Sequence, residues 1–174
     1  MHRKNLVRRY EFISKAVGKN KNVLELGCGT CLLLEFLDRT NAYTGIELNQ
    51  AFIDYAKSKR GAKVIRANIF DFRKYPKTDV IIMCDVLHHV HPRHEELLQR
   101  ALRMAKKVIV CEPKSDYSMH NFLAQFDTDG INRKASPIGW NKEFRGKKLT
   151  EFLRKNGAKR VKVIGGDVIG VFSR

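Results

Sequence analysis

Three observations predict an α/β fold: a doubly wound, seven-stranded mixed sheet with helices on both faces. Between residues 22 and 112, five short β-type runs are separated by helical or loop crossovers, the pattern that builds a parallel sheet. The run Val80-Ile81-Ile82-Met83-Cys84 is apolar throughout, as a strand buried on both faces must be. Near the end, runs 160–164 and 168–172 are joined by Gly165-Gly166-Asp167, short enough for a hairpin that turns the last strand antiparallel.

The first helix is expected over 5–17, where Leu6, Val7, Tyr10, Ile13 and Val17 recur at helical spacing and give one apolar face. Strand one follows at 22–26. A glycine turn then leads into a leucine-rich segment (Leu32, Leu33, Leu34, Phe36, Leu37), predicted to be a helix over 31–39 whose N-terminal N–H groups face the space above the turn. Strand two is 42–47. Asn49 suits an N-cap, Ala51, Phe52, Tyr55 and Ala56 supply a buried stripe, and Gly61 ends that helix. Strand three is 63–67 and strand four 78–84. Pro92 fits a first helical turn, the next helix is 93–106, and strand five is 107–112. The pattern weakens over 113–140, where an amphipathic piece at 118–126 precedes a polar loop. A last helix is expected near 142–156, stopped by Gly157. Residues 1–174 read as one domain, with 1–20 as an N-terminal helix and cover and 113–141 as a lid.

Composition narrows the class. Of the 174 residues 43% are hydrophobic and 30% charged, as in an ordinary globular protein, and no apolar run reaches membrane-spanning length. The start, Met1-His2-Arg3-Lys4, lacks the apolar region of a signal peptide, which predicts a cytoplasmic protein. The net charge of +16 makes a polyanionic partner, RNA first, a candidate, although the basic residues are spread along the chain.

Chemistry concentrates around Glu25-Leu26-Gly27-Cys28-Gly29. Gly27 and Gly29 let the backbone adopt positive φ and approach a ligand closely. A carboxylate at the end of an apolar strand is costly unless it has a partner, so Glu25 is a candidate site residue. Glu47 closes strand two eighteen residues after Gly29, where a nucleotide-binding βαβ unit places the carboxylate that accepts from ribose hydroxyls. Cys28 and Cys31 read as small loop fillers rather than a zinc or redox pair, since no second cysteine pair completes a tetrad. His88, His89, His91 and His94 are dense, but their spacing does not put three on one face, and no metal is predicted. His88 or His89 is a candidate catalytic base; the alternative is a packed histidine that shapes a pocket. His120, Asp127, Asp129, Arg133 and Trp140 lie in the lid segment and read as loop residues.

In order along the chain, Glu25-Leu26-Gly27-Cys28-Gly29, Glu47, Ala67-Asn68-Ile69 and the stretch from Asp79 to Val90 resemble the class I S-adenosylmethionine-dependent methyltransferases, over essentially the whole length. The resemblance implies the sheet order 3-2-1-4-5-7-6 and S-adenosylmethionine as cofactor. It implies that Gly27, Cys28 and Gly29 lie against the methionine part, with Glu25 beneath, near its amine. Glu47 would hold the ribose hydroxyls, Leu48 would face adenine, and Asn68 (often Asp in the family) and the Ile69 N–H would read the base. Cys84 and Asp85 would line the methionine side near the methyl group. Cys31 stands where the family often has a third glycine.

The resemblance implies methyl transfer to an acceptor. A small molecule is expected, because Leu87-His88-His89 looks like the branch that holds many small-molecule enzymes; RNA or protein is the alternative raised by the charge. The Asn/Asp-Pro-Pro-aromatic cradle of base-amine methylators is missing, and Cys84 lacks the preceding proline of cytosine-C5 enzymes. A nicotinamide-dependent dehydrogenase would need glycine at position 32, which is Leu32. A non-catalytic nucleotide-binding module is the remaining reading.

Overall fold

The computed structural model describes residues 2–114 and 146–174, with side chains from Asn5 onward. The expected amphipathic piece at 118–126 and the lid residues His120, Asp127, Asp129, Arg133 and Trp140 lie outside the described residues.

Helix α1 (His2–Val17) is followed by β1 (Asn22–Leu26), β2 (Ala42–Glu47), α2 (Gln50–Arg60), β3 (Val64–Arg66) and β4 (Val80–Cys84). The chain continues with α3 (His94–Met104), β5 (Lys107–Pro113), α4 (Gly146–Lys155), β6 (Arg160–Ile164) and β7 (Asp167–Ser173). The seven strands form one sheet in the order β3-β2-β1-β4-β5-β7-β6, with β7 antiparallel to both neighbours and the other pairings parallel. This is the strand order that the resemblance implies.

Local chemistry accounts for most boundaries. The Asn49 side chain accepts from the Ala51 N–H at 2.9 Å, and Gly61 closes α2 at φ 59° with its N–H on the Ala56 and Lys57 carbonyls. The β6–β7 turn is the pair Gly165-Gly166, with Ile164 opposite Asp167, and Asn5 of α1 packs so closely over Gly165 that a Cβ there would lie 2.7 Å from it. All five residues of β4 are buried, as its composition requires.

One element departs from expectation. The helix expected over 31–39 is a single 3-10 turn, Leu32–Glu35. Cys31 enters it in the left-handed conformation, φ 58°, and the N–H groups of Leu34 and Phe36 reach back three residues, to Cys31 and Leu33. Asp38 then captures the Thr40 N–H and hydroxyl, which draws the backbone into a bend before a second turn can form. No long helix therefore points at the glycine turn. Pro92 likewise precedes α3 instead of opening it.

The sheet separates two cores. On one side Tyr10, Ile13 and Val17 of α1 pack with Leu33, Leu37 and Ile53; on the other Leu97, Leu98 and Ala101 of α3 pack with Leu149 and Leu153 of α4. The first core presses the glycine turn onto β2: a Cβ at Gly45 would lie 2.4 Å from Cys28 Sγ and 3.0 Å from its Cβ. Gly45→Ala should therefore lower the melting temperature, at a cost of about 1–3 kcal/mol for overpacking. Adding Cys28→Ala, which removes the nearer clash, should recover part of that loss. A double mutant no more stable than the sum of the single changes would contradict this packing.

Candidate functional site

Four residues near the carboxyl ends of β1 and β4 hold positive φ: Gly27 at 63°, Gly29 at 51°, Cys31 at 58° and Asp85 at 57°. Left-handed backbone costs a non-glycine residue about 1–2 kcal/mol, so Cys31 and Asp85 must be held there by their surroundings. Gly27 needs space as well as conformation, since a Cβ would lie 2.9 Å from the Val86 side chain in the turn after β4. The two turns are thus in contact across the end of the sheet.

Glu47 and the glycine turn are brought together as the sequence spacing predicts. Glu47 Oε2 accepts from the Gly29 N–H at 3.0 Å, while Oε1 accepts from Leu48 N–H and Asn49 N–H, both at 2.8 Å. The neighbouring Cys28 N–H donates to Ile46 at 3.1 Å. Leu48 is 59% exposed, an apolar side chain left open beside this carboxylate. On the β3 side, Asn68 is exposed and its Oδ1 accepts from the Phe70 N–H, and the Ile69 carbonyl accepts from the Tyr75 hydroxyl.

Glu25 is 4% exposed and takes a short hydrogen bond from the Tyr43 hydroxyl. Burial pushes its carboxyl up to about 8, against the opposing effect of Tyr43. Asp85 lies across the site, its N–H on the Cys111 carbonyl at 2.8 Å and its carboxylate in an ion pair with Arg9 at 2.9 Å. Arg9 comes from α1, is 2% exposed, and also reaches Asp167 at 3.4 Å and the Tyr10 hydroxyl at 3.2 Å. Burial raises Asp167 to about 6, although Arg9 pulls it down.

Burial thus favours the protonated form of Glu25, Asp85 is paired with Arg9, and the Glu47 carboxyl accepts from three backbone N–H groups.

All four cysteines are buried thiols. Cys28 and Cys31 share a hydrogen bond that raises the Cys28 thiol and lowers that of Cys31. Cys84 faces Cys111 in register, and their shared hydrogen bond, with burial, raises Cys84. Among the described residues, no group of three or more His, Cys, Asp or Glu is arranged to hold a metal ion. His88 is buried with its ring 3.9 Å from that of the exposed His89, and His91 stacks on His94 at 4.8 Å. Burial, then His91, lowers the His94 imidazole.

Sequence reading did not place five residues at the site: Arg9, Tyr10, Tyr43, Glu112 and Asp167. Arg9 sits one turn before Ile13 on the apolar face of α1, and a cation in that stripe was the available signal. Glu112 ends an apolar strand just as Glu25 does, and the same argument applies to it.

Residues 24–108 match the family profile described as "Methyltransferase domain". No curated protein matches the chain. Solved structures match its fold over nearly its full length. The methyltransferase domain of bacterial CtHen1-CN is 20% identical with a TM-score of 0.68, each chain fully covered. Magnesium protoporphyrin IX methyltransferase from Synechocystis PCC 6803, solved with bound SAH, is 16% identical at a TM-score of 0.68, with 99% of this chain and 84% of that one covered. The 16S rRNA methyltransferase RmtF, in complex with S-adenosyl-L-homocysteine, is 13% identical at a TM-score of 0.65, with 98% and 63% covered.

Glu25 gives a pH signature. An unfolded glutamate releases its proton near 4.5 and the folded one near 8, so the native state binds more protons across that window and stability falls as pH rises through it. Glu25→Gln should flatten the fall by up to about 1.4 kcal/mol per pH unit, read from urea unfolding at a series of pH values. The part below 6 that Asp167 contributes should persist in the variant. An unchanged slope between 6 and 8 would contradict a buried, proton-bearing Glu25.

Proposed function

We propose that this chain, by its methyltransferase domain and its sheet a class I S-adenosylmethionine-dependent methyltransferase, moves the methyl group to a small-molecule acceptor. The observation that carries the donor reading is the Glu47–Gly29 hydrogen bond, which sets a ribose-type carboxylate against a positive-φ glycine turn. The residues fit the cofactor. A carboxylate has about four lone-pair sites, and three backbone donors leave Glu47 one for a hydroxyl. Gly27 and Gly29 leave the turn bare of Cβ atoms, Leu48 offers an apolar surface to adenine, and Asn68 and Ile69 stand on the base side. Glu25, Cys28, Cys84 and Asp85 would lie on the methionine side.

When bound, S-adenosylmethionine supplies an electrophilic methyl group on a sulfonium. The chain's own part is alignment and exclusion of water, which together convert an encounter into an in-line approach. Glu25 can release its proton to meet an ammonium group, and Arg9 keeps Asp85 at the rim from swinging away. His88 or His89 takes a proton where the acceptor must lose one. Residues 1–20 and 113–141 are the segments we assign to the acceptor cover.

The small-molecule reading rests on the Leu87-His88-His89 run in the turn after β4. The net charge of +16 favours RNA as a second reading. Labelled-methyl transfer to lysate fractionated into metabolites, RNA and protein separates them: label in metabolites is expected, whereas label in RNA with salt-sensitive binding transfers the assignment to the second reading.

Calorimetry should detect S-adenosylmethionine and S-adenosylhomocysteine and no NAD. Glu47→Ala should weaken both by about 1–3 kcal/mol, the loss of hydrogen bonds to a buried polar partner. An affinity equal to that of the unaltered protein would remove Glu47 from the ribose role.

A further inference from the structure

Glu112, in β5, is 1% exposed and belongs to none of the contacts assigned above. Its carboxylate reaches across to the turn that follows β4. Oε1 accepts from Val86 N–H at 2.8 Å and Leu87 N–H at 2.7 Å; Oε2 meets His88 Nδ1 at 2.5 Å and, more distantly, His88 N–H at 3.4 Å. These four contacts match the acceptor capacity of a carboxylate, the condition under which one is tolerated in a core. Next to it in β5, the Cys111 carbonyl accepts from Asp85 N–H, so two successive residues of one strand hold residues 85–88.

A carboxylate only accepts, so the ring nitrogen facing it carries a proton. Nδ1 of His88 is therefore the N–H, and a ring with one proton has Nε2 as its acceptor nitrogen. Carboxylate-to-imidazole pairing of this kind fixes both the tautomer and the orientation of a histidine. We infer that Glu112 is a positioning residue: it shapes the turn 86–88 and holds His88 as the Nδ1–H tautomer, so that Nε2 is the ring nitrogen that can take a proton. The link to the acceptor rests on the methyltransferase reading above; the ring geometry does not.

Glu112→Gln separates positioning from simple packing. Its remaining oxygen still accepts from Val86 and Leu87, so the turn and the fold are kept, but the amide NH2 replaces the acceptor opposite Nδ1. Histidine-nitrogen NMR at mildly alkaline pH, with His88 assigned by its loss in His88→Ala, should report Nδ1–H in the unaltered protein and Nε2–H in Glu112→Gln. In the labelled-methyl assay, kcat should fall about tenfold or more, with KM for S-adenosylmethionine within about threefold. An Nε2–H, averaging or doubly protonated His88 in the unaltered protein would overturn the inference, as would an inverted tautomer with undiminished kcat. Failure of the unaltered protein to bind S-adenosylmethionine would retire the donor reading alone, because the ring readout needs no cofactor.

Discussion

The hydrogen bond from the Gly29 N–H to Glu47 Oε2 is the constraint on which the rest of the site depends. It ties a turn built from positive-φ residues to the end of the neighbouring strand, and it aims the same carboxylate at the space above that turn. Without it, Gly27 to Cys31 would be a loop with wide conformational freedom, since glycine pays the largest entropy cost on ordering. Packing supports it from below: Cys28 seats on Gly45, and Gly27 meets Val86. The turn is therefore clamped between β2 and the segment after β4, which brings the ends of three neighbouring strands into one site.

Charge at this edge is handled by burial and pairing. Taking a carboxylate out of water costs several kcal/mol unless it is neutralised or hydrogen-bonded, and each acidic residue here meets that demand differently. Burial raises the Glu25 carboxyl while Tyr43 donates to it; Asp85 and Asp167 share the buried Arg9; Glu47 accepts from three backbone N–H groups, and Glu112 from the turn 86–88. The Arg9 pairing also explains how α1 is fixed to the sheet, because it joins the first helix, the turn after β4 and the start of β7 through one guanidinium.

Much of this was legible in the sequence, for physical reasons. Strand identity followed from apolar runs whose lengths and flanks admit no helix, and the Asn49 and Gly61 boundaries followed from capping chemistry that acts over two or three residues. The βαβ spacing pointed to Glu47 at the end of strand two as a ribose carboxylate, whereas its hydrogen bond from Gly29 is seen only in the fold. The expected helix over 31–39 did not form, because leucine content says nothing about the left-handed entry at Cys31 or the Asp38 bend. Arg9 with Asp85 and Asp167, at separations of 76 and 158 residues, and Glu112 with His88 are partnerships that only the folded sheet creates. The raised carboxyl of Glu25 was hidden likewise, since it depends on how fully the core buries it against the opposing hydrogen bond from Tyr43.

The most direct test is a crystal structure of the protein soaked with S-adenosylhomocysteine. The account predicts density above Gly27 to Gly29 with a ribose hydroxyl at Glu47 Oε2 and the amino-acid end between Glu25 and Asp85. Bare density over the glycine turn at saturating ligand, or a nucleoside bound away from Glu47, would contradict it.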